Sequence, residues 1–334
     1  MPTIRELAKA VGVSESTVSI VLKGKAKERK ISEQTQRRVL QAAQQMGYRP
    51  NVSARRLRAN PSDTMVIAVF WASDFRAPMM VRFLRGLQSA ILRENRQCEL
   101  VIHPYKNNML EKSFNTLSMC NAAIICNASA ADMEFLATCT IPIPIVLYNR
   151  HSDKFCTVNV DDVKLGSIPA QVFSSRGHKH AVILTSEPVF SGMDIRVESF
   201  IQTARQQGMT TQVLYQDNSM RGGYEGGREI CARKPLPDCL FCGSDAMAIG
   251  ALRAFLQAGV HIPEEMELIS IGNGDRDQEE YAAVSLSIVH LPMEKMAEGC
   301  LDMVFDLLSG KVQAPSRIEL PVLYHARESC GEML

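Results

Sequence analysis

TIRELAKAVGVSESTVSIVL, residues 3–22, reads as two short helices joined by a tight turn. Thr3-Ile4-Arg5-Glu6 fits a capping box, with a hydroxyl at the N-cap and a carboxylate three residues later. Ile4, Leu7, Ala8 and Val11 recur at helical spacing and form one apolar stripe. Gly12 ends the first helix, because glycine accepts the left-handed backbone of a C-cap. Ser14 caps a second helix that turns Val18, Val21 and Leu22 inward before Gly24 stops it. Helices this short are unstable alone. Packed through a short turn they form a helix-turn-helix, whose second helix fits the DNA major groove.

Charge supports that reading. Residues 1–60 hold 13 Lys and Arg against four Glu, and the remainder holds 24 basic against 32 acidic residues. The overall charge of +1 therefore conceals a basic head on an acidic body. Such a head attracts a phosphate backbone by counterion release. Ile31–Tyr48 is predicted as a third helix, capped by Ser32, with Val39, Leu40, Ala43 and Met46 on its apolar face and Pro50 blocking its continuation. Lys23–Lys30 is a very basic loop that reads equally as phosphate-facing or merely solvated. Val52–Arg58 is a short helical segment, and Asn60-Pro61-Ser62 breaks into a linker.

From Thr64 onward strands and helices alternate. Expected strands are Met65–Trp71, Glu99–His103, Ala122–Cys126, Ile145–Tyr148, Ala181–Thr185, Thr211–Tyr215, Cys239–Gly243 and Glu267–Ile271. Expected helices include Pro78–Asn95, with Val81, Leu84, Leu87 and Ile91 inward, and Met109–Cys120, Ala131–Cys139, Arg196–Gln207, Gly222–Cys231 and Ala246–Ala258. The alternation argues for parallel sheets covered by helices, arranged as two lobes with a ligand cleft at the carboxyl ends of the strands. The expected fold class is α/β: a three-helix head (1–50), a hinge helix and linker (51–63), and a two-lobed body (64–334).

The chain resembles the LacI family of bacterial transcription regulators in GVSESTVSIVLKGK (Gly12–Lys25), ISEQTQRRVLQAAQQMGYRPN (Ile31–Asn51) and SARRLR (Ser53–Arg58). The resemblance covers nearly the whole chain and is most specific at its beginning. It implies a periplasmic-binding-protein-like body and a dimer whose paired hinge helices enter the DNA minor groove. Leu57 matches the wedge that unstacks a base step, with Arg55 and Arg56 on phosphate. By resemblance Glu15, Ser16 and Ile20 face base edges. Glu15 can accept from a cytosine amino group, whereas Ile20 offers only apolar contact where relatives often carry a polar reader. Ser14, Thr17, Ser19 and Lys23 are expected on phosphate.

In the body, the resemblance puts Asp74, Phe75 and Pro78 beside the effector pocket, followed by Asn149 and Arg150 at a strand end. Arg196 matches an arginine that fixes polar effector groups, and Asp245 lies in CGSDAMAIG, which matches the family's NDxMAxG. Internal ion pairs are the alternative for Arg196 and Asp245. The sequence departs from the pattern at three places. Gly274 stands where the family's GFD segment has aspartate, with Asp275 one place on. Leu291 replaces a frequent glutamine, and Asp162 follows Asp161 where relatives read Asp-Asn.

Enzyme chemistry has little support. Gly272-x-Gly274 lacks a third glycine, GGYEGG at 222–227 lacks the P-loop lysine, and Cys239-Leu-Phe-Cys242 sits in an apolar strand. No cofactor or metal is expected. The ten cysteines show no disulfide framework. The start of the chain does not read as a signal peptide, and no apolar run reaches membrane-spanning length. The expectation is a cytoplasmic, homodimeric repressor that binds a palindromic operator and answers to a sugar or other small metabolite. The rivals are a solute-binding transport protein and a regulator controlled by a protein partner.

Overall fold

Leu7, Ala8, Val11, Val18, Val21, Val39 and Ala43 close one small core between three helices. These are α1 (Ile4–Val11), α2 (Glu15–Leu22) and α3 (Glu33–Gln45). The computed structural model describes residues 4–22, 26, 29, 31–46 and 65–331, the last span without 75, 77, 78, 115, 116, 118, 119 and 142. The chain divides into two compact units, residues 1–63 and 64–334.

In the first unit, Gly12 takes φ +73° and ends α1. The Ser14 hydroxyl accepts from Thr17 N at 3.1 Å and starts α2. Ser32 caps α3 in the same way, accepting from Thr35 N at 3.3 Å. Arg38 Nη2 donates to Val11 O at 2.5 Å and ties α3 to the end of α1. Two residues of the expected α3 stripe point outward: Leu40 is 53% exposed and Met46 36%. A helix packed against only two short partners buries a stripe narrower than its apolar composition suggests. Thr3, Gly24 and the expected hinge helix lie outside the described residues.

The second unit contains two six-stranded sheets. Lobe one orders its strands β11-β5-β4-β3-β1-β2, all parallel: Arg317–Leu320, Cys156–Val160, Ile145–Tyr148, Ala122–Cys126, Met65–Ala72 and Cys98–Tyr105. Lobe two orders them β12-β10-β9-β8-β6-β7, with only β12 antiparallel: Leu323–His325, Ser287–His290, Glu267–Gly272, Cys239–Cys242, His180–Thr185 and Thr210–Tyr215. Every residue of β3, β4, β5, β8, β9 and β10 is buried, as parallel strands covered on both faces require. The chain crosses between lobes after β5, after β10 and after β11.

Several sequence expectations need correction. Val81 is 55% exposed, because the helix Met80–Arg93 turns Phe83, Leu87 and Ala90 to the core instead. Among the described residues of the expected helix Met109–Cys120, Leu110–Ser113 is α-helical. Strand β5 and the helix Asp162–Ser175 went unforeseen. Cys156–Val160 carries Thr157 and Asn159, and Pro169 interrupts the helical pattern. Both polar groups of β5 are nevertheless buried, with Asn159 Nδ2 donating to Thr157 Oγ1 at 3.0 Å. Cys239 and Cys242 are buried in β8, and burial pushes both thiols up, away from redox or metal chemistry.

Candidate functional site

The outer side of α2 is the first site. Val18 and Val21 take its inner side, which leaves Ser14, Glu15 and Ser16 exposed and Thr17 and Ile20 half-buried. The three hydroxyls of Ser14, Ser16 and Thr17 form a chain, with Ser14 Oγ 2.8 Å from each of the other two. A cap that fixes these hydroxyls also fixes the end of the helix presented to a groove. The side chain of Ser19 is outside the description, as are Lys23, Arg55, Arg56 and Leu57.

The second site is a cleft between the lobes of the body. About 490 Å³ of atom-free space lies in and before it, open solvent included. Its walls come from loops that follow strands: Arg76 after β1, Asn127 after β3, Asn149 and Arg150 after β4, Asn218 after β7, and Asn273 after β9. Met79, Tyr148, Phe190, Met193, Arg196, Gly243, Leu291 and Met293 complete the lining. Such loops gather wherever parallel strands end side by side. Asn127 (φ 63°) and Asn149 (φ 52°) sit in the left-handed region that asparagine tolerates.

Three guanidinium groups surround one ring. Arg150 Cζ lies 3.8 Å from the Phe190 centroid, Arg196 Cζ 5.6 Å and Arg76 Cζ 5.8 Å. Arg76 and Arg150 belong to lobe one and Phe190 to lobe two, so these cation–π contacts span the cleft. Two of the arginines are paired. Arg76 Nη2 meets Asp74 Oδ2 at 2.5 Å. Although burial raises the Asp74 carboxyl, Arg76 holds it below its ordinary value. Arg196 Nε donates to Asp162 Oδ1 at 2.8 Å. The approach is close because Gly192 leaves room: a Cβ there would stand 2.5 Å from Asp162 Oδ2. Arg150 has no carboxylate partner among the described residues; it donates to Ala128 O and Asn149 O, each at 2.5 Å.

Among the predicted effector residues, Asn149 and Arg196 line this cleft. Asp74 stands behind it, holding Arg76. Asp245 and Asp275 are absent from its wall and serve the backbone. Asp245 accepts from Ala246 N and Gly274 N, each at 2.8 Å. Asp275 is exposed and caps a short helix by accepting from Asp277 N at 3.1 Å. Phe75 and Pro78 lie outside the described residues.

Relatives place this geometry. Residues 3–51 match the lacI family of bacterial regulatory proteins, and residues 170–330 match a periplasmic binding protein-like domain. The HTH-type transcriptional repressor PurR of Pasteurella multocida is 26% identical over 335 residues, 96% of each chain. A LacI family transcription regulator of Clostridium acetobutylicum is 32% identical, with TM-score 0.77, over 79% of this chain and all of the other. The chain belongs to the LacI family. It is a DNA-binding transcription regulator, and its family is one of regulators rather than enzymes. The fold is that of the lac repressor dimer bound to operator and the anti-inducer ONPF: 17% identity and TM-score 0.72 over 98% of this chain and 99% of that one.

Within the LacI frame two of the departures can be located. Gly274 stands where the family's GFD segment has aspartate, and the Asp245 carboxylate lies against it: a Cβ at 274 would stand 2.3 Å from Asp245 Oδ2. Asp162, where relatives read asparagine, forms an ion pair with Arg196, Nη2 to Oδ1 at 2.7 Å. Phe190, Asn127, Asn218, Asn273 and Arg76 were not foreseen as site residues. The position of Asn127 and Asn218 just after a strand was the available signal.

Proposed function

We propose that this chain is a cytoplasmic repressor that binds a palindromic operator as a homodimer and is modulated by a small molecule in the interlobe cleft. The proposed organisation is a head at 1–50, a hinge helix and linker at 51–63 and an effector-binding, dimerising body at 64–334. The observation that carries the reading is the capped α2, whose Glu15, Ser16 and Ile20 stand clear of the head core in a segment rich in Lys and Arg. One such helix reads few bases, whereas two on a two-fold axis read half-sites about 34–36 Å apart, or a multiple of that. The PurR relatives are named repressors, and structural neighbours include a regulator in complex with cellobiose. Among the described residues no helix is long and apolar enough to cross a membrane, which accords with a site of action on DNA. Selecting DNA from a random pool with the full chain and with Ile20→Arg tests the assignment. Arginine favours guanine where isoleucine can only touch a methyl, so the half-site should change. The same half-site from both proteins would sink the proposed reading face. Removing residues 1–58 should abolish retardation of the selected site altogether.

A further inference from the structure

The cleft is electrostatically incomplete. Arg76, Arg150 and Arg196 converge on Phe190, while only Asp74 and Asp162 answer them, each already paired with its own arginine. Arg150 is 5% exposed, lines the cleft, and has an Nη2 with no hydrogen-bond partner among the described residues. Burial, and then the neighbouring Arg76, push its guanidinium down to about 9. A buried cation without a counter-charge is costly, and an anion placed beside it recovers that cost. Among the described residues, buried lining groups without a hydrogen-bond partner also include Asn127 Nδ2, Tyr148 Oη and Asn273 Oδ1. With Arg150 Nη2, three of the four can donate, which suits an acceptor-rich ligand. Met79, Met193, Leu291 and Met293 add apolar lining for a carbon skeleton. The aspartate that would grip neutral hydroxyls is replaced by Gly274, and Asp245 is held by the backbone.

On the reading of the cleft as an effector site, we infer that the effector is a small organic anion. Its phosphate or carboxylate group is held by Arg150 with support from Arg196, and its carbon skeleton lies against the methionine and leucine wall. Arg150 supplies a cation with no carboxylate in hydrogen-bond reach among the described residues and an Nη2 left free to donate. Asp162 sets the strength of the site by drawing Arg196 away from the ligand.

The test uses the full chain, inorganic phosphate and acetate as probes, equilibrium dialysis, and chloride to hold ionic strength constant. The anion that binds at one equivalent per chain names the class, phosphate ester or carboxylate. Arg150→Gln should weaken binding about ten- to hundredfold, the weight of one or two charge-assisted hydrogen bonds. Asp162→Asn should tighten it, since it frees Arg196; damage to the fold would act the other way, so this variant decides if Arg150→Gln does not fold. The inference is overturned if neither anion saturates a site, if a folded Arg150→Gln binds equally, or if Asp162→Asn weakens binding. Gel retardation of DNA by the same preparations separates the two levels. DNA binding without anion binding defeats the effector class alone. Anion binding without any DNA binding defeats the regulator assignment.

Discussion

Glu279 should make the body lose stability as pH rises through neutrality. It is fully buried in lobe two, and its carboxyl faces that of Asp245. Two ionised carboxylates are both acceptors and repel; a proton retained on one lets them hydrogen-bond. Burial, and then the charge of Asp245, push Glu279 up to about 8, against the pull of Arg82 and Arg327. Burial also raises Asp245, against donation from Ala246 N, Glu279 and Gly274 N. In the unfolded chain Glu279 titrates near its ordinary 4.5. Between those values the folded state holds a proton that the unfolded state has lost. Stability therefore falls with rising pH, by about 1.4 kcal/mol per unit. Relative to the ionised group, the favourable contribution is complete below the unfolded value and gone above the folded one. Glu279→Gln keeps the shape and a donor but cannot titrate. The stability of the wild type minus that of the variant should thus fall by about 3 kcal/mol over two pH units inside the window. Urea unfolding followed by far-ultraviolet circular dichroism at several pH values reads that difference, with other groups cancelling between the two proteins. A difference that stays flat with pH would show that Glu279 is ionised in the folded state and refute the shared proton.

Gly250→Ala should destabilise the body by about 1–3 kcal/mol, because overpacking a close helix contact forces backbone apart. The added Cβ would meet Met220 O at 1.9 Å, and thermal unfolding reads the loss. Leu57→Ala, at a position outside the described residues, should reduce DNA bending and specific affinity while sparing nonspecific binding, since only the kinked complex uses a wedge. A circular-permutation gel assay gives the bend angle, and equal angles for the two proteins would remove the wedge.

The fold was legible wherever local pattern and burial agree. Ala122–Cys126 and Ile145–Tyr148 have the bounds expected from their apolar runs, and Gly12 and Ser14 perform the capping their residue types suggest. It was illegible wherever tertiary context overrides composition. The polar residues of β5 are buried in a strand covered on both faces, with Asn159 Nδ2 donating to Thr157 Oγ1. Leu40 and Val81 look like core and face out, because the partner helices cover only part of each apolar stripe.

The cleft shows why residue type alone misassigns a site. Asp74, Asp245 and Asp275 are plausible ligand-facing carboxylates in isolation, yet their oxygens go to Arg76, to Gly274 N and to Asp277 N. Arg76 and Asp277 lie two residues from their carboxylates and Gly274 lies 29 from Asp245, while Asp74 also accepts from Asn107 Nδ2, 33 residues on; only the two long spans are invisible to local reading. Arg150, read only as a strand end, is the cleft arginine with no carboxylate in hydrogen-bond reach among the described residues. A sequence displays charges, but the site is set by which charges remain after internal pairing. Gly274 and Asp162 act together in that respect. The first carries no carboxylate and the second places one on Arg196, so the charge at and beside the cleft depends on two positions that an inventory of polar residues would score as unrelated.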